Sequence, residues 1–176
     1  MSEDVLVILQ QAINKEEDRQ AYYEDASQRA CNPLAQQTFG FLAKQEQSHA
    51  AYVRSYYEKM EAGADWPDAS LCADECKLAA EEIKVVFTNA RAAISGDVSC
   101  DTELTEAYDL AMQGERDSIS FYKAQLDAAT DPNAKLFYEA LVAAERMHLQ
   151  LLSQTQEFLD DTESWFFREE QWGVTG

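Results

Sequence analysis

The chain has 176 residues, the length of one ordinary domain, and 46% of them are hydrophobic, which is enough for a sizeable core. Its formal net charge of −19 and pI near 4.3 make an acidic surface that repels phosphate backbones and anionic lipid, so neither nucleic acid nor a membrane is an expected partner. Only 6 glycines and 3 prolines occur, which disfavours an all-β protein and favours long helices.

The N-terminal stretch "MSEDVLVILQQAINKEE" has no basic n-region, and charged residues soon interrupt its apolar run. We therefore expect no signal peptide, no membrane span and a cytoplasmic location. The four cysteines form no Cys-x-x-Cys pair, so no zinc ribbon or rubredoxin-type iron site arises from local pairs. Cys72 and Cys76 would share a face of a helix; reduced thiols are the favoured interpretation, and a metal or redox role is the alternative.

Apolar residues at helical spacing predict four long helices, at about residues 3–30, 33–62, 102–129 and 132–159. The turn "CNPLA" separates the first pair, with Asn32 as N-cap and Pro33 at the first helical position. The turn "TDPNA" separates the second pair in the same way, with Asp131 and Pro132 in these roles. Each pair of helices is therefore predicted to form a hairpin.

The two predicted hairpins, 3–62 and 102–159, are joined by the 38 residues 64–101. A helix of about 27 residues is about 40 Å long, so a link of this length can return along the whole bundle. We predict an all-α, single-domain four-helix bundle with one long crossover, spanning residues 1–176. The aromatic and acidic tail 160–176 is expected to pack as a short helix on the bundle or on a second subunit.

The two hairpins are an internal repeat, since they align without a gap at an offset of 99 residues. The matched pairs include charged, aromatic and turn residues: Glu16 with Glu115, Tyr23 with Tyr122, Pro33 with Pro132, Glu46 with Glu145, and His49 with His148. Such a repeat predicts two hairpins related by a pseudo-twofold axis.

The only two histidines each follow a glutamate by three residues, in "EQSH" at 46–49 and "ERMH" at 145–148. On a helix, Glu46 and His49 share a face with the apolar residues Leu42 and Val53. Buried carboxylates are costly unless they are paired or bind a metal. An isolated Glu-x-x-His is more often a solvated pair, but two in register, each 30 residues after a further glutamate, favour a metal site.

Four glutamates and two histidines match the di-iron carboxylate pattern of helical bundles. The predicted roles are terminal ligands for Glu16 and Glu115, bridging ligands for Glu46 and Glu145, and one imidazole per metal from His49 and His148. Tyr23 and Tyr122 could hydrogen-bond the ligand carboxylates, although tyrosines at helical spacing are often only core residues. Carboxylate with imidazole suits Fe(II), Mn(II) or Zn(II) rather than copper, and we expect two iron ions.

The sequence resembles the rubrerythrin branch of the ferritin-like superfamily. The segments "AINKEEDRQAYYEDA" and "AMQGERDSISFY" are similar to the first and third helices of that family, and "NPLAQQTFGFLAKQEQSH" is similar to the second. The tail "ESWFFREEQWGVTG" is a weaker match to members without a rubredoxin domain. The resemblance implies a ferritin-like bundle, a non-haem di-iron centre, frequently a homodimer, and reduction of peroxide or reaction with O₂.

Two features depart from that family's pattern. Rubrerythrins proper carry a rubredoxin domain with two Cys-x-x-Cys pairs, and since none occurs here we expect electrons from an external donor, a rubredoxin-like protein or a flavoprotein. They also carry a second glutamate three residues after the third-helix ligand, where this chain has Ser118.

Three functions are consistent with these residues. The first is a di-iron oxidoreductase that consumes peroxide or O₂. The second is iron oxidation, storage or buffering, as in a small ferritin, which would require a closed cage. The third is a structural or partner-binding bundle that holds adventitious zinc.

Overall fold

A computed structural model describes residues 3–67 and 102–160. These residues form four α-helices, α1 (Glu3–Arg29), α2 (Pro33–Glu61), α3 (Thr102–Ala128) and α4 (Pro132–Asp160). The predicted all-α fold is confirmed, and every helix ends within two residues of its predicted limits. The predicted crossover beyond residue 67, the tail from residue 161, and the cysteines at 72, 76 and 100 lie outside the described residues.

The two hairpin turns are capped as the sequence predicts. The Asn32 side-chain oxygen accepts hydrogen bonds from the backbone N–H groups two and three residues on, at 2.8 and 3.3 Å. Asp131 does the same before α4, at 2.8 and 3.1 Å. Because Pro33 and Pro132 have no N–H to leave unsatisfied, they suit the first helical position, and both helices begin there.

A glycine follows two residues after the end of helix α2, and the chain then turns back onto the bundle. Gly63 has φ of 91°, in the left-handed region that favours glycine, and its N–H donates to the Met60 carbonyl at 3.0 Å. Trp66 then packs against Phe137 and Tyr138 of α4, at ring-centroid distances of 5.4 and 5.7 Å. This contact covers the end of the core where α2 stops and α4 begins.

Helix α1 packs along α2 and α3 along α4, and the hairpins meet through α1–α3 and α2–α4 contacts. The apolar core forms two clusters. The first contains Tyr23, Phe39, Leu42, Tyr108, Leu151 and Leu152, among others. The second contains Leu9, Ile13, Val53, Tyr56, Phe137 and Leu141, among others. Along each helix, a buried glutamate lies between the residues of these two clusters.

Among the described helices, none combines enough length with enough apolar character to cross a membrane.

Candidate metal centre

The structure brings all six predicted ligands together between the two apolar clusters. One ligand atom from each of Glu46, His49, Glu145 and His148 lies within 4.8 Å of the others. Glu16 and Glu115 complete the group from α1 and α3: each has a carboxylate oxygen 3.7 Å from Nδ1 of one histidine, His49 and His148 respectively. Each hairpin thus contributes one lone glutamate and one Glu-x-x-His pair.

The carboxylates of Glu46 and Glu145 each face both histidines. Glu46 has Oε2 3.3 Å from Nδ1 of His49 and Oε1 3.1 Å from Nδ1 of His148. Glu145 has Oε1 3.6 Å from Nδ1 of His49 and Oε2 3.5 Å from Nδ1 of His148. One oxygen toward each histidine is the arrangement that a carboxylate bridging two metals needs.

Each lone glutamate, by contrast, lies near only one histidine. We call the group with Glu16 and His49 half-site 1, and the group with Glu115 and His148 half-site 2; Glu46 and Glu145 give one oxygen to each half-site. The imidazole rings stack with centroids 5.1 Å apart, so the half-sites are adjacent. Two of the glutamates thus face both histidines and two face only one, and the roles of bridging and terminal ligand stay predictions.

The group is buried, and many of its polar atoms lack a hydrogen-bond partner. All four carboxylates are 0% exposed, and the two histidines are 14% (His49) and 1% (His148) exposed. Both oxygens of Glu46 and of Glu145, Oε2 of Glu16, and Nδ1 of both histidines have no hydrogen-bond partner among the described residues. Unpaired buried oxygens are strongly destabilising. A site of oxygen and imidazole donors that lack partners therefore fits divalent iron, manganese or zinc.

The pKa values of the carboxylates diverge within the metal-free group. Burial, and then repulsion from Glu145 and Glu46, raises the pKa of Glu16 to about 8 and also raises that of Glu115. Although burial acts to raise the pKa of Glu46, the contacts with His148 and His49 lower it to about 2. Without metal, the protonated form is therefore favoured at Glu16 and Glu115, and the ionised form at Glu46 and Glu145.

The two tyrosines reach the ligand carboxylates across the bundle. The Tyr23 hydroxyl of α1 donates to Glu115 of α3, and the Tyr122 hydroxyl of α3 donates to Glu16 of α1. Burial, and then the neighbouring glutamate, raises the pKa of both tyrosines, so they remain neutral donors. The sequence suggested these hydrogen bonds, but it did not specify that each tyrosine serves the other hairpin.

Arg19 is part of the site, although sequence reasoning missed it. Its side chain is 9% exposed, with Nη1 3.1 Å from Oε2 of Glu115 and Nε 3.6 Å from Oε1 of Glu46. Its Nη2 donates to Oγ of Ser118. A signal was present, because Arg19 lies one helical turn after Glu16 and aligns with Ser118 at the repeat offset of 99. The charged stretch around it resembles a solvated helix face.

Comparison with known proteins assigns the chain to a family. The family model described as Rubrerythrin matches residues 7–156, which include all four described helices almost to their ends. No curated protein and no solved structure gives a significant match. Since the matched region covers most of the chain and contains every residue of the metal centre, the chain belongs to the rubrerythrin family.

Proposed function

We propose that the protein binds two iron ions and is an oxidoreductase that reduces hydrogen peroxide or O₂ with electrons from a separate donor. The observation that carries this proposal is the placement of Glu46 and Glu145, each with one oxygen toward each histidine. When bound, two ferrous ions would supply the two electrons that cleavage of an O–O bond requires.

The residues of the site would hold the ions and set their charge. Glu16 and His49 would hold one ion, and Glu115 and His148 would hold the other. Glu46 and Glu145 would contribute to both ions. Four ionised carboxylates carry the charge that two divalent ions neutralise. Mn²⁺ or Zn²⁺ fits the same donors, and either could fill the site in a purified sample.

The protein also controls protons and water at the site. In the metal-free molecule, burial favours the protonated carboxyls of Glu16 and Glu115, whose protons must leave when a cation binds. The hydroxyls of Tyr23 and Tyr122 then keep these carboxylates oriented from the far side. The apolar clusters on both sides exclude bulk water and strengthen every charge interaction between them.

We also propose the partners that this function needs. No Cys-x-x-Cys pair occurs in the 176 residues, so the second redox group that would return electrons to the iron is assigned to a rubredoxin-like protein or a flavoprotein. A second copy of the chain, forming a homodimer, is proposed from the resemblance to the family and is tested by native mass.

Anaerobic reconstitution with Fe(II) tests the function. We expect two iron ions per chain, rapid oxidation by H₂O₂ or O₂ that identifies the oxidant, and repeated turnover with a reductant. The matched control is the double variant Glu46→Ala with Glu145→Ala, which should bind neither ion. Iron that is oxidised once, is not re-reduced and accumulates in a large cage would instead support storage. Absence of iron binding would refute the di-iron assignment.

A further inference from the structure

The Arg19 guanidinium breaks the symmetry of the metal centre. It contacts Oε2 of Glu115 and Oε1 of Glu46, which are both oxygens of half-site 2. The pseudo-twofold equivalent of Arg19 is Ser118, an uncharged residue that instead accepts a hydrogen bond from Arg19. Half-site 1 therefore has no equivalent cation among the described residues.

The lone carboxylates of the two half-sites consequently differ in what they can offer a metal. Glu115 has both oxygens engaged, one by the Tyr23 hydroxyl and the other by Arg19 at 3.1 Å. Glu16 has one oxygen engaged by the Tyr122 hydroxyl, while Oε2 has no hydrogen-bond partner among the described residues. A cation can thus reach an oxygen of Glu16 that holds no hydrogen bond, whereas each oxygen of Glu115 is already held by a donor and the carboxylate shares its charge with a guanidinium.

The formal charges of the site also indicate that the second ion binds more weakly than the first. Four ionised carboxylates and Arg19 total −3, so one divalent ion brings the group to −1 and a second brings it to +1. Without the arginine, the second ion would bring the group to zero. Since the site is buried, this excess charge is poorly screened and should weaken binding of the second ion.

The structure also provides space for Arg19 to move. A groove of about 370 Å³ lies between α1 and α3, and both Arg19 and Ser118 line it. Asp18 and Asp117 line the same groove and offer carboxylates to a guanidinium that leaves Glu115. Gly114 also lines the groove and has no side chain to occupy it. A Cβ at this position would lie 3.7 Å from Nη1 of Arg19.

We propose that Arg19 makes the two metal positions unequal: half-site 1 binds its ion first and tightly, and half-site 2 binds the second weakly, as the guanidinium moves into the groove. This inference rests on the proposed di-metal function. Arg19 is a positioning residue, because it acts on the metal ligands and not on a substrate.

The test is a calorimetric titration of the metal-free protein with Mn²⁺, compared with Arg19→Met. The wild type should show two separate binding steps. Methionine has a similar length and no charge, so removing the nearby positive charge should raise the affinity of the second step. Changes in groups that contact metal ligands typically alter metal affinity by about 10-fold to 100-fold, which is the size expected here. It should also lower the unfolding temperature of the metal-free protein, because the buried carboxylate of Glu46 loses its counter-charge.

Two further variants separate this effect from a change in net charge or folding. Arg29→Met removes the same charge from a side chain that is 70% exposed at the end of α1, and it should leave both binding steps unchanged. Ser118→Ala removes one hydrogen bond that holds Arg19, and should strengthen the second step by a smaller factor. It remains informative if Arg19→Met does not fold.

The possible failures are distinguishable. If the wild type binds both ions with equal affinity, the inference is wrong and the di-metal function stands. The same conclusion follows if neither Arg19→Met nor Ser118→Ala strengthens binding of the second ion. If Mn²⁺ does not bind at all, the proposed function fails, and the inference fails with it.

Discussion

Glu16→Gln should change protein stability in opposite directions in the metal-free and metal-bound states. Glu16 is fully buried and its pKa is raised from 4.5 to about 8 in the metal-free molecule. Folding therefore favours its protonated form. The stabilisation is fully present below the unfolded-state pKa and is lost as the pH rises toward about 8.

The size of the stability change follows from the raised pKa of Glu16. Each pH unit between the two pKa values costs the wild type about 1.4 kcal/mol of folding free energy. Glutamine resembles the protonated carboxyl and does not titrate. As the pH rises from 5 to 7, the free energy of unfolding of metal-free Glu16→Gln should increase by about 3 kcal/mol relative to that of the metal-free wild type. With saturating Mn²⁺ the order should reverse, because the variant has lost an anionic ligand of half-site 1.

Urea unfolding followed by circular dichroism, with chelator or with Mn²⁺, measures both states. The matched control is Glu17→Gln, which changes the next residue, a 50% exposed carboxylate, and should behave like the wild type at both pH values. The reasoning is refuted if Glu16→Gln is less stable than the wild type at pH 7 without metal. Equal stability with Mn²⁺ would refute the role of Glu16 as a ligand.

Three other predictions follow from the structure. Mn²⁺ affinity should fall as the pH falls from 7.5 to 6, because the raised pKa values of Glu16 and Glu115 mean that bound protons must leave when the metal binds. Calorimetry in two buffers should show this proton release. An affinity that does not change with pH would contradict the prediction. Tyr122→Phe should destabilise the protein by about 1–2 kcal/mol in urea unfolding, because it removes a buried donor to Glu16, whereas Tyr57→Phe, which removes an exposed hydroxyl, should have little effect. Asn32→Ala should lower stability by about 1 kcal/mol in thermal unfolding by removing the α2 cap, and an unchanged melting temperature would contradict that role.

Much of the fold could be predicted because its determinants are local. Asn32 and Asp131 mark the helix starts through hydrogen bonds to residues two and three positions ahead, which a sequence displays directly. The repeat at an offset of 99 also relates the two hairpins without any knowledge of their packing. The six predicted ligands come together because helical spacing and repeat register determine which faces they share.

The remaining features of the site depend on contacts between the hairpins. Tyr23 donates to Glu115, 92 positions away, and not to a residue of its own hairpin. Arg19 is buried only because α3 places Glu115 and Ser118 opposite it. In the sequence alone, an arginine among charged residues is indistinguishable from one on a solvated face. The inequality of the two half-sites could therefore be recognised only from the structure.

Diffraction at the iron absorption edge, from crystals loaded anaerobically with Fe(II), tests the central claim most directly. The account predicts two anomalous peaks inside the group formed by the four glutamates and two histidines, with Glu46 and Glu145 adjacent to both peaks. The half-site 1 peak, near Glu16 and His49, should persist at lower iron loading. Crystals that take up iron only outside this group, or at a single position that Glu46 and Glu145 do not share, would contradict the account.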